Sequence, residues 1–360
     1  MALTTVPSTL TPEVFSSQFF TEYVQTNRFS KYMGTDENAI IQLREDLMTQ
    51  PGQTIVFELV NELQGDGVTT DAVTGNEEKL SQRSFRIQVN PVRHGVISAE
   101  HERKKSPIDL MKAKKIVLKT WIMKKTRTDL INALGSINGV VYSSATETQK
   151  NTWLTDNADR VLFGSVVGNN ASNNHLNSLL NIDAVADTMT PELLSLARRR
   201  SINAVPPIRP TQTKGDNQEW FVCFMGSNAF RDFKSSGTIT QAQREAWTRG
   251  DGNPLFTGGN LVWDGVIVVE IPQIPVISGV GAGGIDVEPV YLVGAQALGI
   301  AWAMRTEITV DETDHKWKKS VAVAEIRGIA KLLFGSGAND TDNQKQNGVH
   351  TIYVASIPDA

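Results

Sequence analysis

The chain has a single cysteine, Cys223, among 360 residues. It cannot close an internal disulfide, and a reducing compartment is the economical reading. Long apolar runs are missing too. The most apolar stretch, Leu261 to Gly284, is interrupted by Asp264, Glu270, Pro272 and Pro275, so no membrane span is expected. Charge of one sign is not in excess: 35 basic residues face 39 acidic ones, a net charge of -4. That balance excludes a generally basic nucleic-acid coat and a highly charged disordered chain. With 28 glycines and 14 prolines, close to the average share, collagen-like and low-complexity classes are also excluded. The first basic residue is Arg28 and no apolar core precedes it, so no secretory signal is expected. What is present is a 40% apolar composition, sufficient for a soluble, globular protein of about two domains.

Catalytic signatures are scarce. Neither a G-x-S-x-G elbow nor a phosphate-binding G-x-x-x-x-G-K-[ST] loop occurs. Gly279-Val-Gly281-Ala-Gly283-Gly284 resembles a dinucleotide loop, but that chemistry needs a helix to open at the last glycine. Here Ile285-Asp-Val-Glu-Pro289 follows, which is strand or loop text, and no cofactor is expected. The histidines at 94, 101, 175, 315 and 350 are too scattered for a local metal motif. Cys223 lies inside Trp220-Phe-Val-Cys-Phe-Met, a setting for an inert packed thiol.

The order of elements is more informative. Residues 1–51 are polar and turn-rich, with two short amphipathic stretches, Glu13 to Val24 and Glu37 to Thr49; in the second, Ile40, Ile41, Leu43 and Leu47 fall near helical spacing. This segment reads as an arm that needs another surface. Residues 52–98 read as a long two-stranded hairpin: Gln53 to Leu63 is strand-like, and Phe85, Ile87 and Val89 alternate with polar residues. Between them lies a wide tip holding Gly65, Gly67 and Gly75. A two-stranded hairpin is marginal alone in water, so it must pack on its own body or on a neighbouring copy. Ser106-Pro107 then signals a long helix, with Pro107 in the first position and Gly135 as the stop. Residues 103–127 carry ten basic side chains and one acidic one, Asp109. Such a face is either solvated and balanced by acidic neighbours or turned toward nucleic acid through phosphate contacts. Downstream, short helices and strands alternate without a βαβ rhythm, which makes the class α+β. Trp220 to Met225 and Gly265 to Ile271 read as buried strands, while Tyr291 to Met304 fits either a strand or a buried helix.

A polar arm, a long hairpin, one long helix and then an α+β body make poor sense for a monomer and good sense for a subunit laced into identical neighbours. The order resembles the major capsid proteins of tailed phages with the Hong Kong 97-type fold. The text around Leu63-Gln-Gly65-Asp-Gly67-Val68, Gly75-Asn76-Glu77-Glu78-Lys79-Leu80 and Arg93-His94 is similar to the extended loop of the subgroup typified by the coliphage N4 coat protein. Trp220 to Met225, Asn253-Pro254-Leu255-Phe256, Leu292-Val-Gly294-Ala295-Gln296-Ala297 and Gly328 to Phe334 resemble it in the same order.

The resemblance implies an N-terminal arm (1–51), an extended loop (52–98), a peripheral domain (99–200) with a spine helix at 107–134, an axial domain (201–304) and return strands (305–360). It further implies a non-enzymatic shell protein of the virion, made in the host bacterial cytoplasm. Hexamers and pentamers would form an icosahedral head with scaffolding, portal and cement or decoration proteins, around double-stranded DNA. Gly65, Gly67, Gly75, Asn76, Glu77 and Glu78 are then expected at inter-subunit contacts, and Lys112, Lys115, Lys119 and Lys124 on a DNA-facing surface. The competing classes are an encapsulin-like bacterial shell and a soluble DNA-binding protein using helix 103–127.

Overall fold

The computed structural model describes residues 27–49, 51–60, 82–106, 108–212, 219–245, 261–335 and 344–358, with the single positions 68, 69, 73, 74 and 77. Two compact units divide the chain: one contains residues 90–127 and 304–326, together with the N-terminal 27, and the other contains residues 28–89, 128–303 and 327–360. The stretch Glu13 to Val24 lies outside the described residues.

In the first unit, Asn90–Ala99, the start of Lys318–Lys331 and the end of Leu298–Thr313 are neighbouring strands of one sheet. Val321 and Val323 pack with Leu118 and Ile122 of the long helix, and Val92, Val96, Met111 and Trp121 border this core. The helix itself spans Leu110–Leu134, 25 residues and about 38 Å. Its start differs from the sequence expectation. The Asp109 carboxylate accepts hydrogen bonds from the amides of Met111 (3.0 Å) and Lys112 (3.2 Å), so an acidic cap opens the helix in place of a proline at its first position. A separate short helix, Glu100–Lys105, precedes it. The stop is where the sequence puts it: the Gly135 amide donates to the Ile131 carbonyl and the helix ends.

The second unit is built on a larger sheet, ordered Val161–Phe163, Val349–Ser356, Asp286–Val293, Glu219–Met225, Val266–Glu270, Leu261–Trp263. Both faces are covered, which explains the nearly continuous apolar strands. Along Glu219–Met225 the side chains alternate between two cores. Val222 and Phe224 join Phe29, Ile131, Leu134 and Tyr291 on one side, and Phe221, Cys223 and Met225 join Leu194, Ala197 and Phe233 on the other. The ambiguous stretch from Tyr291 onward is strand, split between Asp286–Val293 and Leu298–Thr313.

The hairpin forms as expected at its base. Thr54–Val60 pairs antiparallel with Gln82–Gln88, from Thr54 opposite Gln88 to Val60 opposite Gln82. Its inward row, Ile55, Phe57 and Ile87, is buried against Ala301, Leu332 and Phe334, so the base rests on its own body. Gly299 and Gly328 make the approach possible: a Cβ at Gly299 would meet Ile87 and Phe57, and one at Gly328 would meet the Gln88 carbonyl. On its second strand the hairpin pairing ends before residue 98, because from Asn90 the chain joins the other sheet beside Lys318–Lys331.

Glu37 to Thr49 is not helical. Ile41–Arg44 is a strand, pairing parallel with Leu298–Ala301, and only Asp46–Met48 makes a 3-10 turn. Ile40 and Ile41 are buried at the start of this strand, and burial against a parallel partner wins over weak helical spacing.

Candidate functional site

The basic segment divides by geometry. Lys112, Lys115 and Lys119 are exposed and fall at spacings of three and four residues, which puts them on one helix face. Lys124 is half-buried, and five residues beyond Lys119 it points about 140° away from that face. The four lysines expected on one surface are therefore three plus one. Lys114, which sequence reasoning did not separate from the others, is turned inward: its Nζ donates to Ser98 Oγ (2.5 Å) and to the Lys319 carbonyl (2.9 Å). Burial, reinforced by the nearby Arg103, lowers its pKa below the ordinary lysine value. A lysine with its stem in a core and its ammonium on a carbonyl acts as a strut between helix and sheet.

Of the residues expected at inter-subunit contacts, Glu77 is exposed, and Gly65, Gly67, Gly75, Asn76 and Glu78 lie outside the described residues. The exposed row of the hairpin base includes Val56 and Val60, 38% and 56% accessible, an apolar strip on an otherwise polar face.

The glycine loop has the backbone its composition suggests, with positive φ at Gly279, Gly283 and Gly284. The chain then enters the strand Asp286–Val293, and the Gly279 amide is already held by Asp286 Oδ1 at 2.9 Å. The last glycine thus closes a short 3-10 turn, Ala282–Gly284, that leads into a strand. Among the described residues, no three His, Cys, Asp or Glu side chains gather to hold a metal, and no helix is long and apolar enough to cross a membrane. Cys223 is fully buried and its pKa is pushed far up by that burial, which keeps the sulfur protonated.

The buried polar groups form supports. Arg160, with no exposed surface, donates to the Gln346 and Pro206 carbonyls. Lys331 donates to Gln346 Oε1 at 2.8 Å and sits over the Trp153 ring; burial lowers its pKa to about 7. His350 bonds Ser201 at 3.1 Å and is held neutral by burial and by Arg200 and Arg160, with a pKa of about 3. His175 is kept neutral in the same way, at about 4, by burial first and then by Lys150. Arg160, Lys331 and His350 each tie one segment of the chain to another. A cavity of about 460 Å³ beside Tyr142, Tyr291 and Tyr353 is mostly apolar.

Comparison with known proteins decides the family. The model of the phage capsid protein family matches residues 3–357. The chain belongs to the phage capsid proteins. A chain of the cyanophage Pam1 capsid asymmetric unit is 31% identical, covers 100% of both chains and superposes with a TM-score of 0.89. The major capsid protein of Pseudomonas phage KPP25 is 27% identical over 367 residues, 95% of this chain and 94% of that relative. The capsid of Ralstonia phage GP4 shares the fold at 22% identity, covering 97% of this chain and 96% of that one, with a TM-score of 0.76. This capsid protein is a structural component of the virion.

Proposed function

We propose that this capsid protein is the major coat protein of a tailed double-stranded DNA phage, with a Hong Kong 97-type fold of the N4-like subgroup, and that it has no enzymatic activity. Hexamers and pentamers of the chain close an icosahedral head around the genome. The observation that carries this reading is the full-length match, in sequence and in fold, to a capsid chain of cyanophage Pam1. Residues 1–51 act as the arm, 52–98 as the extended loop, 99–200 as the peripheral domain with the long helix, 201–304 as the axial domain and 305–360 as the return strands. A hairpin whose base is fixed by Ile55, Phe57 and Ile87, and whose tip region carries Gly65, Gly67, Gly75, Asn76, Glu77 and Glu78, suits lacing onto a neighbour at quasi-equivalent positions. Lys112, Lys115 and Lys119 supply phosphate contacts to packaged DNA, with Lys124 outside that face. Scaffolding, portal and cement or decoration proteins are the expected partners in assembly.

The test is negative-stain electron microscopy of the purified chain, with and without the scaffolding protein encoded near it. Closed shells, tubes or sheets with hexameric spacing are expected. A uniform monomer or dimer under every condition overturns the reading.

A further inference from the structure

The sheet of the first unit is open at both ends among the described residues. Among the described residues, Met304–Thr313 has the strand Lys318–Lys331 on one side and no strand on the other. At the opposite end, Asn90–Ala99 likewise has only Lys318–Lys331 as a neighbour. Open edges of this length are aggregation hazards unless they are covered, and an assembling subunit uses them.

The side-chain rows show what the two edges lack. Thr306 Oγ1 bonds Glu325 at 2.9 Å, and Lys319 pairs with Glu312 at 2.8 Å. Thr306, Ile308, Val310 and Glu312 therefore share a face with Lys319, Val321, Val323 and Glu325. That face is covered by the long helix at Val321 and Val323, both 0% exposed, but it runs out uncovered at Ile308 (40%) and Val310 (48%). The helix reaches across two strands and not the third.

The other face carries the charge. A Cβ on Gly95 would touch Ala322, so the row containing Gly95, Arg93 and Ile97 lies on the face of Ala322, away from Val321 and Val323. Arg305, Glu307, Thr309 and Asp311 alternate with Ile308 and Val310 and point to that same side, two carboxylates against one guanidinium. Arg93 stands on one edge, and Glu307 and Asp311 on the other, all three exposed. With Arg305 counted this edge keeps a net negative charge at Glu307 and Asp311, and Arg93 on the edge of a second copy complements it better than a second acidic edge does.

We infer that Met304–Thr313 is a docking edge for Asn90–Ala99 of a second copy of this chain, bringing that copy's Arg93 beside Glu307 and Asp311 and covering Ile308 and Val310. Because the two edges differ, the contact is head-to-tail, and repeated around an axis it closes a ring. The inference rests on the self-assembling coat reading and names one of its interfaces.

Two experiments on the full-length chain test it. In the first, Glu307→Lys combined with Asp311→Lys lowers shell yield at least tenfold at unchanged circular dichroism, and adding Arg93→Glu restores it. In the second, Arg93→Cys and Thr309→Cys are combined. Within one chain these positions are two strand spacings apart, about 10 Å, too far for a disulfide. Buried Cys223 does not compete. Oxidised shells then run as dimers and higher multimers on a non-reducing gel, while each single variant runs as monomer. Wild-type yield from the charge-reversed chain, failure of Arg93→Glu to restore it, an uncrosslinked cysteine pair, or crosslinking by Thr309→Cys alone each overturns the inference. If the wild-type chain forms shells and one of these results occurs, only the edge contact fails. If the wild-type chain does not associate at all, the coat reading fails with it.

Discussion

Lys331 is a buried lysine in the described core, and its cost can be measured. It is 2% exposed, its ammonium has a side-chain amide and the Trp153 ring as partners, and burial lowers its pKa from 10.5 to about 7. The sign follows from proton counting. Between pH 7 and 10.5 the unfolded chain binds a proton that the native chain has released, so stability rises with pH across that window. Below pH 7 both states hold the proton and the native state carries a buried cation. The shift amounts to an effect on the order of 5 kcal/mol across the whole window, of which about 2 kcal/mol falls between pH 7 and pH 9. Lys331→Met keeps the apolar stem and removes the titration. It also strips Gln346 Oε1 of its donor, which costs about 1–3 kcal/mol at every pH. Urea unfolding of the unassembled chain and of the variant, at pH 7 and pH 9, isolates the term, because every other titrating group cancels in the difference. Relative to the wild type, the variant is expected to lose about 2 kcal/mol of standing as the pH rises from 7 to 9. A difference that stays constant within 0.5 kcal/mol, on the order of RT, would show that Lys331 keeps its proton, and the reasoning from burial would be wrong.

Other outcomes follow from the same structure. Glu288, nearly fully buried and accepting from the Ala229 amide, has its pKa raised to about 7, chiefly by burial. Its folded pKa lies above the unfolded value, so its contribution is present below pH 4.5 and is lost as pH rises toward 7. Glu288→Gln should therefore gain on the wild type by about 2 kcal/mol over that range in denaturant titrations. Asp109→Ala removes the cap of the long helix and should cost about 1 kcal/mol in thermal or urea unfolding. Trp153→Ala, which empties a fully buried site, should cost about 3–5 kcal/mol and abolish soluble expression before any assembly step is reached. Replacing Lys112, Lys115 and Lys119 together by Glu should leave folding within 0.5 kcal/mol but reduce the DNA retained per shell, measured by absorbance ratio after nuclease treatment.

Much of this was legible because the relevant signals are local. The long helix shows in its apolar seams and in the Gly135 stop, and the hairpin shows in the period of two at Phe85, Ile87 and Val89. The helix start is ambiguous in sequence because Pro107 and Asp109 both signal an N-terminus, and the two amide bonds to the Asp109 carboxylate decide for Asp109. The strand that begins at Ile41 is hidden because its partner at residues 298–301 lies more than 250 residues away in the chain, beyond the reach of any local pattern. The inward turn of Lys114 is hidden for a related reason: in a run of ten cations, sequence does not say which one meets Ser98 and the Lys319 carbonyl. Lys331 is equally silent in Gly328 to Phe334, since its burial depends on Trp153 and Gln346 arriving from elsewhere. The edges of the first unit were not legible either, because an edge is a property of strand order.

The measurement that bears most directly on the coat reading is a cryo-electron microscopy reconstruction of particles assembled from the purified chain. The account predicts icosahedral shells in which this chain, with the fold described above, is the repeating unit of both hexamers and pentamers. Particles lacking that lattice, or shells in which the chain occupies only a minor position on a lattice built by another protein, would contradict it.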